Sequence, residues 1–262
     1  MPRVRLDQLL VDRGLAPSRA AAQAMVLAGE VELAGGRSLK PGNLVAADAA
    51  VIVRDRPRWA SRAGDKLEAA LDAFEVEVAG RTALDAGAST GGFTDVLLSR
   101  GAMRVYAVDV GRAQLIDRLR RDPRVISMER TNLRTLDGLP EPIDLATLDL
   151  SFISLRMVLP VVRGLLPQKE GVAVALVKPQ FEAGREAVPR GGVIRDPATH
   201  AAVLRGFATD AAAAGFGLRG VIRSPVTGSD GNVEFLAHLG EPPGMAPQSL
   251  EPLIAKLTAA SG

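Results

Sequence analysis

The chain has no cysteine, two histidines and an aromatic content of 3%, and each shortage argues against a class of function. Without thiols there is no disulfide framework, no Cys-ligated zinc and no sulfur nucleophile. His200 and His238 are too few to build a His-ligated metal centre. So few aromatic rings leave little material for a nucleic-acid surface of stacked aromatic platforms. No apolar run reaches the length of a membrane span, and Met1-Pro2-Arg3-Val4-Arg5 leads into an amphipathic pattern rather than a signal-peptide core, so the expected location is the cytoplasm. Lysine is also scarce: of 32 basic residues 27 are Arg and five are Lys.

What is present is 262 residues with 47% hydrophobic and 24% charged side chains, enough for one sizeable core and a small appendage. The net charge is only +2, yet residues 1–64 carry ten basic against six acidic side chains, so the positive charge is concentrated at the N-terminus. There, Leu6 to Gly14 has helical apolar spacing, and Ser18 is placed to cap a second helix through Ala28 before Gly29 stops it. Val31–Leu33, a Gly35-Gly36 turn and Val51–Val53 then read as a small sheet. Residues 1–56 form this α+β module, and the charged, Pro-containing stretch running into 57–64 is expected to be a linker.

From residue 65 to 262 the rhythm changes. Strand candidates at Thr82–Asp85, Val105–Asp109, Val125–Met128, Ile143–Leu148, Val172–Val177, Leu218–Ile222 and Val233–Leu239 alternate with helical stretches around Lys66–Phe74, Ala113–Arg121, Ser154–Leu166 and Thr199–Ala214. This alternation predicts an α/β, Rossmann-like doubly wound sheet. A Ser/Gly/Asp loop without a helix joins the last two strands, so they are expected to form an antiparallel pair at one edge.

Strand, then Asp85-Ala86-Gly87-Ala88-Ser89-Thr90-Gly91-Gly92-Phe93, then helix is the nucleoside- or phosphate-binding turn of such a fold, where glycines let backbone approach a ligand. Asp109, at the end of the next strand, is positioned to hydrogen-bond a ribose diol, a role shared by nicotinamide and S-adenosyl-L-methionine sites. The antiparallel terminal pair favours the second cofactor. In an arginine-rich chain, Lys66 and Lys178 stand out, because a lysine can titrate where an arginine cannot. Lys178 and Asp149 end neighbouring strands, Glu234 begins the last strand, and Lys66 lies beside the Gly-rich turn, so all four charges are expected on one rim.

Ser61-Arg62-x-x-x-Lys66-Leu67, the Asp85–Thr94 turn, Glu129-Arg130-Thr131-Asn132, Asp149-Leu150-Ser151-Phe152-Ile153-Ser154, Leu176-Val177-Lys178-Pro179-Gln180-Phe181-Glu182 and Gly231-Asn232-Val233-Glu234 occur in that order. Together they resemble the TlyA-type ribosomal RNA 2′-O-methyltransferases, an S4-like RNA-binding domain followed by an FtsJ-like methyltransferase domain. The family's Arg-x-Trp-Val interdomain motif is altered here to Pro57-Arg58-Trp59-Ala60. The resemblance implies a catalytic tetrad of Lys66, Asp149, Lys178 and Glu234; because a ribose hydroxyl needs a positioned base, Lys178 is assigned that role within it. It implies a methyl-donor site at Asp85, Gly87, Ser89, Gly91, Gly92, Phe93, Asp109, Val110, Asn132 and Asp149, and a cytidine ribose in rRNA of the ribosomal subunits as substrate. Arg3, Arg5, Arg19 and Lys40 are the expected phosphate contacts. A non-catalytic cofactor-binding assembly factor and a 2′-O-methyltransferase for another RNA are the alternatives. A pore-forming haemolysin, a label some family members carry, would need a membrane-active segment that does not occur here.

Overall fold

The computed structural model describes residues 3–27, 31–33, 40–53, 58–228 and 230–259. The Gly29 stop, the Gly35-Gly36 turn and the linker stretch 54–57 lie outside the described residues. The chain divides into two compact units, Met1–Arg58 and Trp59–Gly262.

The first unit contains β1 (Arg3–Arg5), α1 (Leu6–Asp12), α2 (Arg19–Leu27), β2 (Val31–Leu33), β3 (Leu44–Ala46) and β4 (Val51–Val53). Helical spacing puts Leu6, Leu9 and Leu10 on one side of α1, where they pack with Ala22, Val26, Val31 and Val45. Ser18 Oγ accepts the Ala21 N–H at 3.2 Å, the cap its position predicts. β1 pairs antiparallel with β3, and β2 with β4. The sequence pattern does not predict β1 or β3; each is defined by pairing with the other.

The second unit contains α3 (Ala63–Ala73), β5 (Thr82–Ala86), α4 (Gly92–Ser99), β6 (Arg104–Val108), α5 (Asp117–Arg120), β7 (Val125–Met128), β8 (Leu145–Leu148), α6 (Leu159–Leu165), β9 (Val172–Val177), α7 (Pro179–Glu182), α8 (Pro197–Ala213), β10 (Gly217–Arg223), β11 (Phe235–Gly240) and α9 (Pro247–Thr258). Its seven strands form one sheet in the order β7-β6-β5-β8-β9-β11-β10. β11 alone runs opposite to the other six strands, so the α/β Rossmann-like sheet and its antiparallel terminal pair are both observed. Successive residues of β5 serve opposite faces: Leu84 and Ala86 join one apolar cluster, and Ala83 joins the other, as pleating requires. Strand order reverses between β5 and β8, and the carboxyl ends of strands at such a switch point open a crevice for ligands.

Local chemistry shortens two expected helices. Ala113 has a positive φ of 51°, which breaks the helical path, so α5 begins only at Asp117. Pro160 sits in the first turn of α6 after a separate 3-10 turn at Leu155–Met157, because proline is tolerated at a helix start and not in its interior. Among the described residues no helix is long and apolar enough to cross a membrane.

Trp59, within the stretch expected to be a linker, is 7% exposed and packs with Leu67, Leu71 and Phe93 in the core of the second unit. Gly64 lies so close beneath it that a Cβ would fall 2.3 Å from Trp59 Cγ. Gly64→Val is therefore expected to destabilise this unit by roughly 1–3 kcal/mol, read as a fall in Tm of about 3–10 °C by calorimetry.

Candidate active site

The turn after β5 is built on a close backbone approach. Gly87 has φ of 87°, and a Cβ there would lie 2.4 Å from the Asp149 carbonyl oxygen. Glycine alone permits both the left-handed backbone and the contact with the β8 turn. Gly91, at φ 99°, caps α4, and Leu115 and Leu119 occupy the space its side chain would need. Gly92 packs on Ser61 Oγ, and the Phe93 ring is buried in the apolar cluster.

A crevice of about 430 Å³ opens beside this turn. Of the predicted cofactor residues, Gly87, Ser89, Asp109, Val110, Asn132 and Asp149 line it. Gly92 and Phe93 instead border a smaller adjoining cavity of about 200 Å³, shared with Ser61, Gly87, Ser89 and Asp149. Asp109 accepts the Ser89 N–H at 2.8 Å and the Gly111 N–H at 2.7 Å, which fixes its carboxylate at the crevice mouth. Asn132 Oδ1 accepts the Arg134 N–H at 3.0 Å. A carboxylate at the mouth, a backbone-walled floor at Gly87 and apolar sides from Val110, Leu133 and Ile153 suit a nucleoside with a ribose diol.

Asp85 sits elsewhere than its place in the motif suggests. Its side chain is fully buried, Thr94 Oγ1 donates to it at 2.6 Å and Thr147 Oγ1 at 3.3 Å. It ties β5 to α4 and β8 from beneath the turn and does not line the crevice. Burial pushes its carboxyl up to about 7, opposed by the Thr94 hydrogen bond and aided by the nearby Asp149 charge.

The four predicted charges form two ion pairs. Lys66 Nζ on α3 lies 2.5 Å from Glu234 Oε2, and Lys178 Nζ after β9 lies 2.6 Å from Asp149 Oδ1 after β8. Both lysine side chains are only 10% exposed. The register that pairs Phe235 with Val177 carries Glu234 to the level of Lys178, so the pairs meet at the carboxyl edge of the sheet. Lys178 Nζ also donates to Ser151 Oγ at 3.1 Å.

Three features here were not singled out in the sequence as site residues. Ser151 is a second partner of Lys178. Phe152, 92% exposed at a positive φ of 64°, packs its ring 5.3 Å from Phe181, which in turn lies 5.9 Å from Lys178 Nζ. Asn232 is 1% exposed; its Oδ1 accepts the Ile194 N–H and its Nδ2 donates to the Gly192 carbonyl, both at 2.9 Å, pinning the loop that follows α7. All three fall inside the quoted motifs, which is the signal that could have found them.

In the first unit, Arg3 and Arg5 share one face of β1 and are exposed, as is Lys40. Arg5 and Arg19 both contact the buried Asp7, a partner that spacing in the chain does not reveal.

The profile of FtsJ-like methyltransferases matches residues 59–241, and that of the S4 domain residues 4–51. The chain is 47% identical to the 16S/23S rRNA (cytidine-2′-O)-methyltransferase TlyA of Mycobacterium tuberculosis, over 90% of each chain. The chain is an FtsJ-like methyltransferase of the TlyA type. It is also 49% identical to YqxC of Bacillus subtilis, named as an rRNA methyltransferase, over 91% of this chain and 86% of that one. A solved Streptococcus thermophilus protein labelled a hemolysin superposes with a TM-score of 0.75 at 42% identity, covering 98% of this chain and 96% of that one. Solved S-adenosylmethionine-dependent methyltransferases at 17% and 19% identity share the fold of the second unit.

For this methyltransferase the buried acid predicts a pH signature. Asp85 titrates near 7 when folded against an ordinary value of 3.8, so between these limits the native state holds the extra proton, and stability declines as pH rises through that window. Asp85→Asn is expected to narrow the difference in unfolding free energy between about pH 5 and about pH 8, by an amount on the order of 1–4 kcal/mol. Chemical denaturation at both pH values checks this.

Proposed function

We propose that this methyltransferase transfers a methyl group from S-adenosylmethionine to the ribose 2′-hydroxyl of a cytidine in ribosomal RNA, acting in the cytoplasm on the large subunit and on the small subunit as a second target. The observation that carries the reading is the Lys178–Asp149 pair at the rim of the nucleoside-shaped crevice. The M. tuberculosis relative's name supplies the substrate class.

A ribose hydroxyl is a weak nucleophile, and its proton must be taken by a positioned base. Lys178 is the residue placed to take that proton, at Nζ. The 2.6 Å contact with Asp149 and the 3.1 Å contact with Ser151 hold Nζ in one place, and alignment of this kind is where most of the protein's contribution to a methyl transfer lies. Lys66, fixed by Glu234 at 2.5 Å, adds positive charge to the same rim. Asp109 would hold the cofactor's ribose, and Gly87, Ser89, Val110 and Asn132 would enclose it. When bound, the cofactor supplies an electrophilic methyl group. The exposed Phe152 ring offers a face on which an unstacked base can rest. In the first unit, Arg3, Arg5, Arg19 and Lys40 contact RNA phosphates.

Lys178→Arg and Lys178→Ala are each expected to lower radiolabel transfer to ribosomal subunits by at least about 100-fold, while cofactor affinity by calorimetry changes little. Full activity in either variant would remove Lys178 from the base role. Gly87→Ala is expected to abolish measurable cofactor binding in the same calorimetric assay, because the crevice floor has no room for the methyl group.

A further inference from the structure

The N-terminal unit contains a carboxylate with an unusual duty. Asp7 lies in α1 and is 0% exposed. Its Oδ1 accepts Arg5 Nε at 3.0 Å. Its Oδ2 accepts Arg5 Nη2 at 2.8 Å, Arg19 Nε at 3.1 Å and Gln23 Nε2 at 2.9 Å. The Asp7 N–H in turn donates to the Pro41 carbonyl, and the Arg5 guanidinium lies against Gly42 in the same turn. Both arginine side chains nevertheless stay about half exposed, at 46% and 51%.

An arginine presents five N–H donors in a rigid fork. Arg5 spends the Nε and Nη2 edge on Asp7, and Arg19 spends only Nε. In each, the remaining guanidinium nitrogens are not engaged by Asp7. A free arginine must give up rotamer entropy to bind a phosphate; one already held by a buried carboxylate has given up most of it on folding. The same carboxylate offsets one of two positive charges and lets the two guanidinium groups converge. The guanidinium hydrogen bonds, Arg5 first, hold the Asp7 carboxyl well below the usual carboxylate range, so it stays ionised wherever RNA binds.

We propose that Asp7 is a positioning residue that sets Arg5 and Arg19 as a preformed clamp for a single RNA backbone phosphate. This rests on the reading of the N-terminal unit as RNA-binding and names the device behind it. The clamp makes a prediction that charge alone reverses. Asp7→Asn raises the net charge by one, which by simple electrostatics tightens binding to a polyanion, whereas loss of the preformed fork weakens it.

The test uses the full chain and fluorescence anisotropy with a labelled 23S rRNA transcript, at several salt concentrations, with folding checked by circular dichroism at the assay temperature. Asp7→Asn is expected to bind about tenfold more weakly, and Arg5→Lys and Arg19→Lys, which keep charge but lose the fork, to lose a similar factor. The Lys variants are surface changes and keep the proposal open to refutation if Asp7→Asn does not fold. Unchanged or tighter binding by folded Asp7→Asn, or wild-type affinity in both Lys variants, overturns the clamp. If Arg5→Ala and Arg19→Ala weaken binding while the Lys variants do not, the RNA-binding reading stands and the clamp alone fails. If Arg3→Ala, Arg5→Ala and Arg19→Ala all bind as wild type, both fall. A loss confined to phosphatidylglycerol vesicles, with RNA affinity unchanged, assigns the fork to a membrane surface and also overturns the proposal.

Discussion

At the centre of the second unit the backbone of Gly87 runs so close to the carbonyl of Asp149 that no side chain fits between them. This approach joins the ends of β5 and β8 at the point where strand order reverses, and the crevice geometry depends on it. It sets the floor of the cofactor crevice, and it puts the Asp149 carboxylate on the border of both cavities, within reach of Lys178. A methyl-transfer site has little covalent work to do; its task is alignment, and the shared backbone contact gives the crevice and the Lys178–Asp149 pair a common frame.

Buried charge is handled in three different ways. Lys66 and Lys178 each receive a carboxylate, which answers the cost of removing an ammonium from water. Asp85 receives two hydroxyls and the Thr94 backbone N–H but no cation, and burial raises its carboxyl against these hydrogen bonds. Asp7 receives two guanidinium groups and an amide, and its carboxyl falls. The same residue type therefore titrates in opposite directions in the two units, for reasons that lie wholly in its partners.

The arginine-rich composition follows the same division. Arginine, permanently charged and planar, forms ion pairs such as Arg118 with Asp95, whereas the two buried lysines, Lys66 and Lys178, each meet a carboxylate at the carboxyl edge of the sheet. In an otherwise arginine-biased chain, that chemical difference is what makes Lys66 and Lys178 legible from composition and position alone.

The sequence by itself determined the order of strands in the second unit and the helices between several of them, since strand and helix periodicities are local properties; β7 and β9 have the predicted limits, and the antiparallel end of the sheet followed from the missing helix before β11. It also determined which residue types cluster at the carboxyl edge, because strand ends mark that edge. Tertiary structure alone decided that the four charges meet as two pairs, Lys66 with Glu234 and Lys178 with Asp149, because pairing depends on the register between β9 and β11 and on the reach of α3. It decided that Asp85 points into the core while its motif neighbours Gly87 and Ser89 border the crevice, because Asp85 lies within β5, covered by Thr94 of α4 and Thr147 of β8, whereas Gly87 and Ser89 lie in the turn beyond the strand's end. It likewise decided that Arg5 and Arg19, 14 positions apart, share Asp7, since a contact between β1, α1 and α2 exists only once the small core of Leu6, Leu10 and Val26 has formed around it.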